Sequence, residues 1–156
     1  MKREIFFCKS WFTAKRKPTQ VWTREQAQAA HKKGQPYTVL VDSLQKPFCA
    51  VTLNSKYVGI DFFDELLREF LTYQFQMSGS GKLFLSMVTH REFTGISDEV
   101  EKGSSYIFSE NGSLTIRREI FEPYSLDIAE SKTDVLSNFS VFPGFGEYDE
   151  IIRIER

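Results

Sequence analysis

With 156 residues, 41 % hydrophobic and 26 % charged, the chain is long enough to bury one core and too apolar for wholesale disorder. A formal net charge of −1 and a pI near 6.2 argue against a polycationic nucleic-acid binder. No apolar stretch approaches the ~20 residues of a membrane span, and the run after Met1-Lys2-Arg3-Glu4, cut by Lys9, falls short of the ~7–15 residues of a secretory core segment. The expectation is a single domain over residues 1–156, cytoplasmic and without a membrane partner.

The charge is unevenly spread. Residues 1–56 hold eleven Lys/Arg against three acids (Glu4, Glu25, Asp42), whereas residues 57–156 hold nine against eighteen. Such halves attract each other, lie evenly solvated, or face charged partners. Fifteen Phe point to a flat aromatic core between a sheet and its cover. Cys8 and Cys49 stand in apolar runs and form no C-x-x-C pair, so both are expected buried and reduced.

Residues 3–11 are rich in β-formers (Ile5, Phe6, Phe7, Trp11) and read as a first strand. Lys15-Arg16-Lys17-Pro18 is a basic loop. Thr23-Arg24-Glu25-Gln26 is a capping-box pattern, good helix formers follow to Lys33, and Gly34 is the stop. A helix this short must dock by its alanine face. From Tyr37 the period is two, with strands over 37–41, 47–53 and 57–62 and turns between them. Residues 63–77 carry two patterns. Phe63, Leu66, Leu67 and Phe70 keep helical spacing, while Leu71, Tyr73, Phe75 and Met77 alternate. The reading is a reversal at Asp64-Glu65 and a strand through Met77, with a helical turn as the alternative. Ser78-Gly79-Ser80-Gly81 is a loop, and residues 83–88 are apolar on both faces, as in a strand covered on both sides.

One hairpin can be read in register. A two-residue loop at Asn111-Gly112 would pair Phe108 with Thr115, polar against apolar. A three-residue loop at Glu110-Asn111-Gly112 pairs Phe108 with Leu114 and Tyr106 with Ile116, with Gly112 at the left-handed position. Beyond Arg118 the pattern loosens: residues 127–136 hold a short strand or helix, Pro143-Gly144-Phe145-Gly146 a loop, and Ile151-Ile152 sits in a charged tail. The fold class is α+β, a meandering antiparallel sheet with a short helix from the N-terminal half packed on it.

No nucleophile, base and orienter come together along the chain. His31 is assigned to the exposed side of the helix. His90 shares a strand face with Glu92, the arrangement of a base and its orienter, but structural hydrogen bonding is the simpler role. Ser78-Gly79-Ser80-Gly81-Lys82 lacks the phosphate-loop spacing. No metal-ligand or cofactor motif is present in the sequence, and none is expected to be needed. The segment Lys9 to Lys17 with Trp11, Phe12 and Trp22 offers the one nucleic-acid reading, by phosphate contacts and stacking.

From Tyr57 the order of features is familiar: Tyr73-Gln74-Phe75-Gln76, then Leu83-Phe84-Leu85-Ser86-Met87-Val88-Thr89-His90-Arg91-Glu92-Phe93, the hairpin closed by Asn111-Gly112, and Phe145-Gly146-x-Tyr148 leading to Ile152-Arg153. This resembles the small immunity proteins of bacterial contact-dependent inhibition and other polymorphic toxin systems, over roughly the last hundred residues. The resemblance implies a non-enzymatic protein that binds one cognate toxin domain, often a basic nuclease, in the cytoplasm. Its contact residues would be the densest acidic loops, Asp98-Glu99-x-Glu101 and Glu147-Tyr148-Asp149-Glu150, with Phe93 and Tyr148 as neighbouring aromatics. The basic first third departs from that pattern. The rival readings are a small enzyme centred on His90 and a nucleic-acid-binding module.

Overall fold

Alternation prevails over helical spacing nearly everywhere in the computed structural model, which describes residues 3–156. The elements are β1 (Ile5–Cys8), β2 (Trp11–Phe12), β3 (Lys17–Pro18), β4 (Val21–Trp22), α1 (Arg24–Lys32), β5 (Tyr37–Val41), β6 (Cys49–Asn54), β7 (Tyr57–Phe63), β8 (Glu69–Met77), β9 (Leu83–Phe93), β10 (Val100–Phe108), β11 (Ser113–Phe121), β12 (Tyr124–Lys132), a 3-10 turn (Leu136–Asn138) and β13 (Phe139–Ser140). All but β2 and β3 join one antiparallel sheet in the order β12-β11-β10-β9-β8-β7-β6-β5-β1-β4, with β13 beside β9. The chain is thus a sheet-dominated α+β fold with one short helix.

Thr23 caps α1 as its sequence pattern requires. Its side chain accepts from the Gln26 amide at 3.2 Å, and Gln26 accepts from the Thr23 amide at 2.8 Å. Ala27 and Ala30 form the docked face, and Gly34 follows the helix at φ +67°. Cross-strand rows then sort the side chains. Val39, Val51, Ile60 and Tyr73 share one face, covered by α1 and by Tyr148, Ile151 and Ile152. Leu40 and Ala50 lie on the other, where Phe6, Trp11, Leu44 and Leu67 pack around Cys8 and Phe63.

Several expectations needed correction. The first strand stops at Cys8, because the chain turns at Lys9 and Ser10 into the β2–β3 hairpin. The ambiguous residues 63–77, by contrast, follow the expected reading, reversing after Phe63 and then running as β8 to Met77. The Asp64 carboxylate collects the amides of Leu66 and Arg68 at 2.9 and 3.0 Å, closing a turn before a helix can propagate. Within β9 only Leu83, Phe84 and Leu85 are buried, so full cover ends there. The loosened stretch after Arg118 is a long hairpin, since β11 continues to Phe121 and β12 is exposed along its whole length. Ile151 and Ile152 are core residues, not part of a solvated tail.

The β10–β11 hairpin takes the longer loop, with Phe108 opposite Leu114 and Tyr106 opposite Ile116. Gly112 has φ +93°, and a Cβ there would stand 3.0 Å from the Thr133 carbonyl oxygen. Gly112→Ala is therefore expected to cost about 1 kcal/mol or more in a denaturant titration. An unchanged midpoint would disprove the strain.

Candidate functional site

Two turns meet at one corner of the open half of the sheet. β9 ends at Phe93, residues 94–99 form a loop, and β10 returns with Val100 opposite Phe93. A register shift between Val100 and Lys102 makes Glu101 a bulge residue, which re-aims its side chain. Beside it, β11 ends at Phe121 and turns through Glu122-Pro123 into Tyr124. Thr94, Glu99, Val100, Glu101, Phe121 and Glu122 line a shallow cleft of about 470 Å³.

The corner joins apolar surface to negative charge. Phe121 and Tyr124 are 44 % and 60 % exposed, with ring centroids 6.1 Å apart, and Ile96 of the loop is 89 % exposed. The Tyr124 hydroxyl donates to Glu119 Oε2 at 3.2 Å. Asp98 is paired with Arg16, and Glu119 lies 4.0 Å from Arg117. Glu99, Glu101 and Glu122 make no ion pair among the described residues. Lys102, next in sequence, belongs to the opposite face of the strand, in register with Glu92. Three uncompensated carboxylates around exposed rings give a locally negative field over apolar surface.

Arg68 holds the loop in shape. Its Nη1 donates to the carbonyls of Gly95 and Ser97, both at 2.8 Å, while its Nε donates to Asp64 at 2.8 Å and its guanidinium lies 4.7 Å from the centre of the Phe93 ring. Burial raises the Asp64 carboxyl, but hydrogen bonds from the Arg68 amide and guanidinium and the Leu66 amide outweigh it and hold the group below its ordinary range. A loop tied in this way loses little freedom when it binds.

The structure does not unite the two acidic clusters. Asp98 is tied to Arg16, in the segment whose Trp11 packs on Phe63 over the Leu40–Ala50 face. Glu147, Asp149 and Glu150 belong to the C-terminal segment, which packs over the Val39–Val51 face. Those three are exposed, with Glu150 paired to Arg153 at 2.7 Å. Tyr148 between them is 2 % exposed and is not an anchor offered to a partner. Its hydroxyl lies 2.8 Å from that of Tyr37, which lies 2.8 Å from His31 Nδ1. His31 is accordingly half-buried, at the outer end of a polar chain, with burial lowering its pKa. Phe93 is half-buried beneath Arg68. The aromatics of the corner are instead Phe121 and Tyr124, which the sequence reading passed over. Their signal was the alternation Tyr124-Ser125-Leu126-Asp127-Ile128 after the turn residues Glu122-Pro123.

The rival sites are less organised. His90 is exposed, in register with Leu71 and Ser104, and no hydrogen bond joins its ring to Glu92 or Ser104 among the described residues. In the basic N-terminal segment Trp11 is packed on Phe63 at 5.2 Å and Trp22 is half-buried, which leaves Phe12 exposed. No helix is long and apolar enough to cross a membrane, and among the described residues no group of three His, Cys, Asp or Glu converges as metal ligands would. Comparison with protein-family models, with curated proteins and with solved structures finds no match for the chain.

Proposed function

We propose that this chain is an immunity protein, which binds and blocks one cognate toxin domain in the bacterial cytoplasm through the corner formed by residues 94–101 and 119–124. The observation that supports the reading is three unpaired carboxylates, Glu99, Glu101 and Glu122, set around the exposed rings of Phe121 and Tyr124. Unpaired carboxylates attract a cationic surface and speed its approach, while exposed aromatics supply affinity once water is expelled. A basic protein domain, of the kind that acts on nucleic acid, fits that chemistry.

The test uses the toxin domain encoded beside this chain. The triple change Glu99→Gln, Glu101→Gln and Glu122→Gln is expected to slow association about tenfold at low salt, an effect that fades as salt screens the field. Phe121→Ala should raise the dissociation rate about tenfold, the scale of a contact residue near a hot spot. The same amide changes at Glu147, Asp149 and Glu150 examine the opposite face. If only the second set alters binding, the corner is the wrong surface. If the toxin domain does not bind the wild-type chain at all, the immunity reading itself fails.

A further inference from the structure

We propose that the cleft where the β2–β3 turn, the β7–β8 turn and the end of β9 meet binds a free α-amino acid with an apolar side chain. Its carboxylate is taken by Arg91 and its ammonium by Glu69. The cleft has a volume of about 300 Å³, at the lower end of the range for small-molecule sites. Five charged side chains line it: Arg16, Arg68, Arg91, Glu69 and Asp98. Arg16 is paired with Asp98, and Arg68 with Asp64 just outside the lining. Arg91 and Glu69 are both half-buried, yet neither makes an ion pair among the described residues. Other bonds hold the two apart. Arg91 Nη1 donates to the Glu69 carbonyl at 3.2 Å and to Thr72 Oγ1 at 3.1 Å, and among the described residues nothing engages Nε or Nη2. The Glu69 carboxylate accepts from Thr13 Oγ1 at 3.1 Å through Oε1, which leaves Oε2 open. Asp61 lies behind Thr72 and outside the lining, so it tempers the Arg91 charge without occupying those nitrogens.

A ligand for these two groups must carry both signs. A lone carboxylate in the cleft would meet Glu69, and a lone amine would meet Arg91, so a single ion gains one contact and suffers one repulsion. An α-amino acid brings both charges close together, and a guanidinium presents paired donors to its carboxylate. Ala14, Leu67 and Phe93 supply apolar lining, which suits an aliphatic side chain. The walls are fixed before a ligand arrives. Thr13 ties the β2–β3 turn to β8, Arg16 ties it to the loop after β9, and Arg68 donates to the Gly95 and Ser97 carbonyls of that loop at 2.8 Å. Arg16 and Leu67 both take positive φ, +51° and +59°, a conformation uncommon outside glycine. Two such residues in the turns that wall one cleft match the strain that gathers at ligand sites. A cleft held in this way loses little freedom on binding.

The test is a titration of L-leucine into the isotope-labelled chain, followed by amide NMR. Saturable shifts are expected at Ala14, Leu67, Arg91 and Phe93, with a dissociation constant on the order of millimolar for a ligand of so few atoms. Acetate and ethylammonium each carry half of the charge pattern and should bind about tenfold more weakly or worse. Glu69→Gln keeps an acceptor for Thr13 but loses the charge that meets the ammonium, and should weaken leucine about tenfold. Arg91→Lys keeps the charge but loses the forked donors, and should do the same. Ala14→Leu fills the cleft from an exposed position without touching a charged group, so it should abolish the shifts. It carries the test alone if the other two variants fail to fold. No saturable shift up to about 50 mM leucine overturns the proposal, as does acetate that binds as tightly as leucine, or folded variants that bind as wild type does. The titration involves no toxin domain, so its failure is distinct from failure of the proposed function.

Discussion

Tyr148→Ala is expected to lower the unfolding free energy by about 3–5 kcal/mol, the range for emptying a buried aromatic site. Tyr148 is 2 % exposed in a cluster with Tyr37, Ile151 and Ile152, and near it Phe145 stacks on Phe7 at 5.2 Å and 15°. The tail therefore acts as a layer of the core that sits on the sheet beside α1. Arg156 fastens its end, donating to the Ile151 carbonyl at 2.7 Å with its guanidinium 4.9 Å from the Phe75 ring centre. Tyr148→Phe keeps the ring and removes one hydroxyl, while Tyr37 retains its contact with His31, so a cost of only about 1 kcal/mol is expected. Urea titrations of both variants provide the check. An Ala variant that costs no more than the Phe variant would show that the tail adds little to the core.

Asp61→Asn is the second large effect, and it depends on pH. Burial, reinforced by the Glu69 charge, pushes the Asp61 carboxyl from 3.8 up to about 6, against the Thr72 hydrogen bond and the Arg91 charge, which favour ionisation. Thr72 Oγ1 donates to Asp61 at 2.8 Å, and Arg91 Nη1 donates to Thr72 Oγ1 at 3.1 Å. A carboxyl whose pKa is raised on folding holds its proton more tightly in the folded chain. Stability from this group is therefore present below about pH 4 and lost as pH rises toward 6. At about 1.36 kcal/mol per unit, ionising Asp61 costs roughly 2–3 kcal/mol at neutral pH. The Asn side chain keeps an acceptor for Thr72 and does not titrate. Relative to wild type it should gain roughly that amount between pH 3.5 and pH 7.5. A stability difference between the two that does not change with pH would disprove the burial of this charge.

What could be read along the chain was local. The capping box at Thr23 and Gln26 needs only residues three apart, and it forms where the pattern stands. The Gly112 register follows from matching Phe108 to Leu114 and Tyr106 to Ile116, a choice among two loops only. The alternation of Leu71, Tyr73, Phe75 and Met77 in β8 was legible because one face meets the covering layer. β5, in contrast, is buried at all five residues, with a packed cluster on each face, and reads as a near-continuous apolar run. β12 lacks cover on either face, so it needs no dense apolar row, and its three alternating side chains were a weak signal.

Which side of each segment faces inward was decided by the tertiary structure. Tyr148 and Phe121 both stand beside glutamate in the sequence, yet Tyr148 closes the core and Phe121 meets solvent. The difference arises because the tail folds back over the Val39–Val51 face, a contact more than a hundred residues away in sequence between Tyr37 and Tyr148. In the same way Glu99 and Glu122 become neighbours only because three strands, β9 to β11, return their ends to one corner. Composition and period determined a sheet-rich fold with one capped helix, because those depend on residues close in sequence. The acidic corner, the buried tail and the cleft beside Arg91 depend on which distant segments meet, and only the packed sheet decides that.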